Sequence, residues 1–142
     1  MPRLTLKQAN TIIDQALAKA REMKIKPLAV VVLDDSGNVV ASQREDKASM
    51  FRFDIALGKA WGAVAMSCSS RALGKRAKDN QNFFLSLAAA AKGKFLPQPG
   101  AALIRDAQGN VLGAAGASGG TGDEDEAACA YGIEKAGLKA DV

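Results

Sequence analysis

The chain has 142 residues, 48% hydrophobic and 24% charged, a length suited to one domain with its own core. No apolar run approaches the ~20 residues of a spanning helix, which excludes a membrane span. Lysine and arginine outnumber aspartate and glutamate by 19 to 15, too mild an excess for a nucleic-acid surface, and the basic stretch Arg71, Lys75, Arg76 and Lys78 has no interleaved aromatics.

Thr5 and Gln8 form a capping box that opens a helix with Leu6, Ala9, Ile12, Ile13, Ala16, Leu17, Ala20 and Met23 at helical spacing. After Pro27, residues 28–33 read as a strand buried on both faces, and residues 39–43 as its hairpin partner across an Asp-Asp-Ser-Gly-Asn turn. Residues 49–69 form a helix with two stripes, Phe53, Leu57, Trp61, Val64 and Cys68 on one and Ala56, Ala60 and Ala63 on the other. The large stripe is expected on the sheet and the alanine stripe against a partner subunit. Two short helices follow, over 70–80 and 83–92, then an irregular Pro97-Gln98-Pro99-Gly100. A second hairpin, 101–105 with 111–117, turns through Asp106-Ala107-Gln108-Gly109-Asn110 and echoes the first. A glycine-rich loop leads to the last helix, capped by Thr121 and Glu124 and stopped by Gly137. Two hairpins without βαβ alternation predict an antiparallel α+β domain over residues 1–142.

The 28 alanines and 14 glycines, beside 5% aromatics, predict close backbone approach. Histidine is absent, which excludes Ser-His-Asp and Cys-His mechanisms and His-based zinc sites. Cys68 and Cys129 form no ligand cluster, and a cytoplasmic, reduced setting is expected. Gly116-Ala117-Ser118-Gly119-Gly120 matches the nucleophile elbow but lacks its base. Asp123-Glu124-Asp125-Glu126 complements the dipole of the last helix and opposes a phosphate there. It lacks the spaced oxygen ligands of a calcium loop, so no metal site is assigned. Asp125 or Glu126 is the carboxylate expected to turn inward. Arg52 and Lys59, two helical turns apart, share a face of the central helix and suit a carboxylated ligand.

Residues 112–122, Leu-Gly-Ala-Ala-Gly-Ala-Ser-Gly-Gly-Thr-Gly, followed by Asp125-Glu126 and Cys129-Ala130-Tyr131-Gly132, resemble the C-terminal signature of the GlcG/HbpS family. This haem-degrading-domain family is related to the C-terminal domain of the adenosyltransferase PduO. Lys59-Ala60-x-x-Ala63, Pro99-Gly100 and the opening helix and hairpin ending near Arg44 fit the same pattern. The resemblance implies a profilin-like fold, a five-stranded antiparallel sheet with helices on both faces. It also implies a homo-oligomer, a dimer of a kind that in the family often builds an octamer, and haem or another tetrapyrrole as ligand.

A haem would need an apolar slot and cations for its propionates, for which Arg52 and Lys59 are suited. With no histidine, its axial ligand would come from Met50, Met66, Cys68, Tyr131 or Thr121. The expected site is therefore a cleft of the central helix, the 97–100 loop and residues 118–126, in which Arg52, Lys59, Gly100, Ser118, Gly119 and Gly120 hold a small anionic ligand. An alternative is an enzyme of organic-acid metabolism acting on a small carboxylated metabolite, with Lys59 and Asp125 or Glu126 as acid and base. A third is an accessory structural subunit of a metabolic operon.

Overall fold

A computed structural model describes residues 3–142. Helix α1, Leu6–Glu22, begins at Thr5, whose hydroxyl accepts from the Gln8 N–H while the Gln8 side chain accepts from the Thr5 N–H. The last helix, α5 (Gly122–Lys135), starts the same way from Thr121 and Glu124. Both capping boxes satisfy backbone donors that a helix start leaves unpaired. Between them lie strands β1 (Ala29–Asp34) and β2 (Val39–Arg44), helices α2 (Phe51–Met66), α3 (Ser70–Asp79) and α4 (Gln81–Ala90), and strands β3 (Ala101–Arg105) and β4 (Val111–Ser118). A short β5, Lys139–Asp141, ends the chain.

The five strands form one antiparallel sheet in the order β2-β1-β4-β3-β5. Each hairpin keeps its own pair, and β1 with β4 joins the two along the centre. Their turns are built alike. Asp34 Oδ1 accepts from the N–H groups of Ser36 and Asn38, and Asp106 Oδ1 from those of Gln108 and Asn110. Gly37 and Gly109 both supply the positive φ that such a turn needs. The Asn110 amide and the N–H groups around the second turn hold the Asp106 carboxyl below the usual carboxylate range.

Helices cover both faces of the sheet. On one, α1 and α5 pack together over Val30, Val32, Ala102, Ile104, Ala115 and Ala117. A Cβ on Gly132 of α5 would stand 2.3 Å from the Ile12 carbonyl oxygen, so the two helices meet backbone to backbone. On the other face lies α2. Here the expected orientation is reversed: Ala56, Ala60 and Ala63 are fully buried against Val31, Leu33, Leu103 and Ala114, while Phe53, Leu57, Trp61 and Val64 are only half-buried. Glycine and alanine in β4 are the reason. A Cβ at Gly116 would come within 2.5 Å of the Ala56 carbonyl oxygen, a distance that admits only small residues on the facing helix. The alanine stripe is thus satisfied within the chain and supplies no argument for a partner subunit. Cys68, grouped by spacing with the large stripe, packs instead with Leu73, Phe84 and Phe95 of the α3–α4 region. Among the described residues, no helix is long and apolar enough to cross a membrane.

Candidate functional site

A cleft of about 580 Å³ opens between the first three turns of α2, residues 96–99 and residues 118–125. Phe51, Ile55, Leu96 and Pro99 give it apolar walls, and Arg52, Lys59, Ser118 and Asp125 supply its polar groups. Three chain segments meet because β4 runs beneath α2 and ends at Ser118, where the glycine-rich loop turns the chain into α5.

Lys59 and Asp125 form the floor. The Lys59 Nζ donates to Asp125 Oδ2 at 3.2 Å and to the Ala117 carbonyl at 3.1 Å. The side chains are 7% and 1% exposed, so water screens the pair little. Asp125 Oδ1 accepts from the Gly120 N–H at 2.9 Å, which ties the glycine loop to the same carboxylate. Burial pushes the Asp125 carboxyl above its ordinary value, against the opposing pull of Lys59 and the Gly120 N–H. Gly100 makes room for the ammonium: a Cβ there would lie 2.5 Å from Nζ and 2.9 Å from Lys59 Cδ.

Arg52 stands two helical turns from Lys59, toward the start of α2. Its Nη1 donates to Ser118 Oγ at 3.3 Å, and among the described residues it has no carboxylate partner. The structure thus brings Arg52, Lys59, Ser118, Gly120 and Asp125 to one cleft. Gly100 lies behind Lys59, and Gly119 lines a neighbouring recess. Glu126 turns the other way: Arg71 of α3 donates to its carboxylate at 2.9 and 3.3 Å and also pairs with Asp123. Arg71, assigned by spacing to a solvated helix face, is the residue that fastens α3 to the start of α5. The acidic run at 123–126, which faces it, is the sequence signal for that role.

Cys129 sits on the inner side of α5, fully buried, with its Sγ 3.8 Å from the Gly100 carbonyl oxygen. Burial pushes its thiol far above the ordinary value. A thiol reagent is therefore expected to modify half-buried Cys68 in the native protein and to reach Cys129 only in denaturant, as peptide mass mapping would show. Equal rates for both in native protein would contradict this packing. Among the described residues no three histidine, cysteine or acidic side chains converge as a metal site.

The family described as "Haem degrading protein HbpS-like" matches residues 4–134. No curated protein matches the chain in sequence. Among solved structures, a PduOC:haem complex is similar over 99% of this chain and 100% of that chain, with 21% identity and a TM-score of 0.87. The Klebsiella pneumoniae protein ORFY is similar over 96% and 93%, with 24% identity and a TM-score of 0.86. A doubly substituted HbpS of Streptomyces reticuli is similar over 94% and 87%, with 24% identity and a TM-score of 0.79. At these identities the likeness is one of fold.

Proposed function

Because the chain belongs to the HbpS-like family, we propose that its α2–α5 cleft binds a small carboxylated ligand with a flat apolar body, of the haem or tetrapyrrole class. The observation that carries this reading is Arg52, a half-buried cation beside apolar walls with no carboxylate to neutralise it among the described residues. A ligand carboxylate supplies the missing charge, and Phe51, Ile55, Leu96 and Pro99 bury the apolar body. The haem complex of a protein of like fold supports the same class.

The residues present fit the macrocycle and its propionates better than they fit the iron. Of the expected axial ligands, only Thr121 lines the cleft. Met66 and Cys68 pack beside Leu73 and Phe95, Tyr131 lies beneath Lys19 and Lys135, and exposed Met50 is outside the lining. When bound, haem supplies redox chemistry at its iron. This chain's contribution is to bury the ring and pair its carboxylate, with Ser118 holding Arg52 in place. Lys59 and Asp125, already joined to each other and to the backbone, shape the floor.

Titration with hemin is expected to shift the Soret band of the wild-type mixture, and Arg52→Gln to weaken binding about tenfold, as befits loss of one charge-assisted hydrogen bond. An unchanged spectrum with wild-type protein at micromolar hemin would defeat the haem assignment. A second reading, acid–base catalysis on a carboxylated metabolite, is favoured by the upward-shifted Asp125 carboxyl beside Lys59 at the cleft floor. Glu126, held by Arg71 outside the cleft lining, takes no part in it.

A further inference from the structure

Arg52 does not belong to the main cleft alone. A second recess, about 410 Å³, lies on its other side and is lined by Lys24, Ile25, Lys26, Arg52, Gly119, Gly120, Thr121 and Glu124. Arg52, Gly120 and Thr121 line both hollows, so they form a ridge that a ligand can straddle. The recess is cationic. Lys24, Lys26 and Arg52 face one carboxylate, Glu124, and its Oε1 already accepts the Thr121 N–H at 2.9 Å in the capping box. Neither lysine forms an ion pair among the described residues.

The backbone that carries the two lysines is anchored by the residue between them. Ile25 is 2% exposed in the core under α1 and α5, and its N–H donates to the Ala20 carbonyl at 3.0 Å. This peg leaves Lys24 and Lys26 exposed on either side of it at the rim of the recess. The main cleft has no comparable surplus: Lys59 is neutralised by Asp125, and Asp123 by Arg71.

We infer that the ligand carries two acidic groups on one edge of its apolar body, one paired with Arg52 and the second reaching Lys24 and Lys26 across the Gly120-Thr121 ridge. This rests on the proposed binding role of the main cleft and adds the class of ligand it selects. Gly120 lets the ridge pack this closely: a Cβ there would stand 2.6 Å from Ile25 Cγ2 and 2.9 Å from Glu124 Oε1. A monoacid of the same shape has one anchor only.

The test uses hemin, its monomethyl ester and its dimethyl ester as probes, titrated into four proteins: wild type, Arg52→Gln, Lys24→Gln/Lys26→Gln, and Lys75→Gln/Lys78→Gln. The last pair lines another basic hollow, beside α3, which meets the main cleft at Gln98 and Pro99, and controls for lost net charge. Lys24→Gln/Lys26→Gln is expected to weaken hemin roughly five- to tenfold, in keeping with two partly exposed ion pairs. It should change affinity for the dimethyl ester little, and the Lys75/Lys78 control should bind hemin as the wild type does. Wild-type hemin affinity in Lys24→Gln/Lys26→Gln, beside weakened binding in Arg52→Gln, overturns the two-anchor inference and leaves the cleft assignment standing. An equal loss in the control overturns it as well, by reducing the effect to overall charge. Failure of the wild-type protein to bind hemin, or indifference of binding to Arg52→Gln, defeats the cleft assignment and the second anchor with it.

Discussion

Replacing Lys59 by methionine is expected to cost about 3–5 kcal/mol of folding stability, the usual penalty for stranding one member of a buried ion pair. The remaining carboxylate, Asp125, would keep the Gly120 N–H but lose the ammonium, in a position only 1% exposed. Its folded-state carboxyl, already raised by burial, would rise further. A carboxyl whose folded pKa lies above its unfolded value favours the native state below the unfolded value, about 3.9, and that contribution is lost as pH rises through the folded value. The deficit of Lys59→Met should therefore be smallest in acid and grow toward neutral pH, as urea melts at several pH values would show. Lys59→Met/Asp125→Leu should recover much of the loss, because it removes the stranded charge with its partner. A single-variant loss below about 1 kcal/mol at neutral pH would mean that solvent reaches the pair, contrary to its burial.

Gly116→Ala should destabilise the protein by about 1–3 kcal/mol, and Gly116→Val by more, because each forces a side chain into the contact between sheet and α2. The obstacle is backbone: the new Cβ meets the Ala56 carbonyl oxygen at 2.5 Å and the Ala60 Cβ at 3.0 Å, and neither can swing aside. Gly132→Ala should act similarly on the opposite face, against the Ile12 carbonyl. Lying on different layers, the two losses should add to within about 0.5 kcal/mol. Gly93→Ala is the comparison. Its Cβ would meet nothing within 4 Å, so only the positive φ of 80° opposes it, costing about 1 kcal/mol. Equal melting curves for Gly116→Ala and the wild type would show that α2 does not ride so close to β4.

The helix starts were legible because a capping box is local: Thr5 with Gln8 and Thr121 with Glu124 need only three residues of sequence. Both hairpins were legible for the same reason, their Asp side chains organising the turns from within. From residue pattern alone β5 was not, since Lys139–Asp141 becomes a strand only by pairing with β3; the fifth strand came from the family resemblance. The facing of α2 was misread because bulk was taken as the sign of burial. The glycine and alanine of β4 held the corrective signal, as a flat strand admits only a small-faced helix.

The site divides along similar lines. Arg52 and Lys59 share a helix, so their common face follows from spacing. Choosing between Asp125 and Glu126 needed the phase of α5: adjacent helical residues point about 100° apart, and only one can turn inward. Phase was set by Arg71 drawing Glu126 outward and by Lys59 meeting Asp125, pairings 55 and 66 residues apart that no local pattern carries.

The alanine face of α2 also bears on what the chain gives up when it folds. Alanine has no rotamers to lose, whereas a buried leucine or isoleucine forfeits about 0.5–1 kcal/mol of side-chain freedom. Ala56, Ala60 and Ala63 therefore dock onto Gly116 and its neighbours without freezing a side-chain torsion of their own, and on the inner face of this helix the rotamer cost is concentrated in buried Lys59. The bulky side chains on its outer face, Phe53, Leu57, Trp61 and Val64, are left half in contact with solvent, where more of their rotational freedom survives.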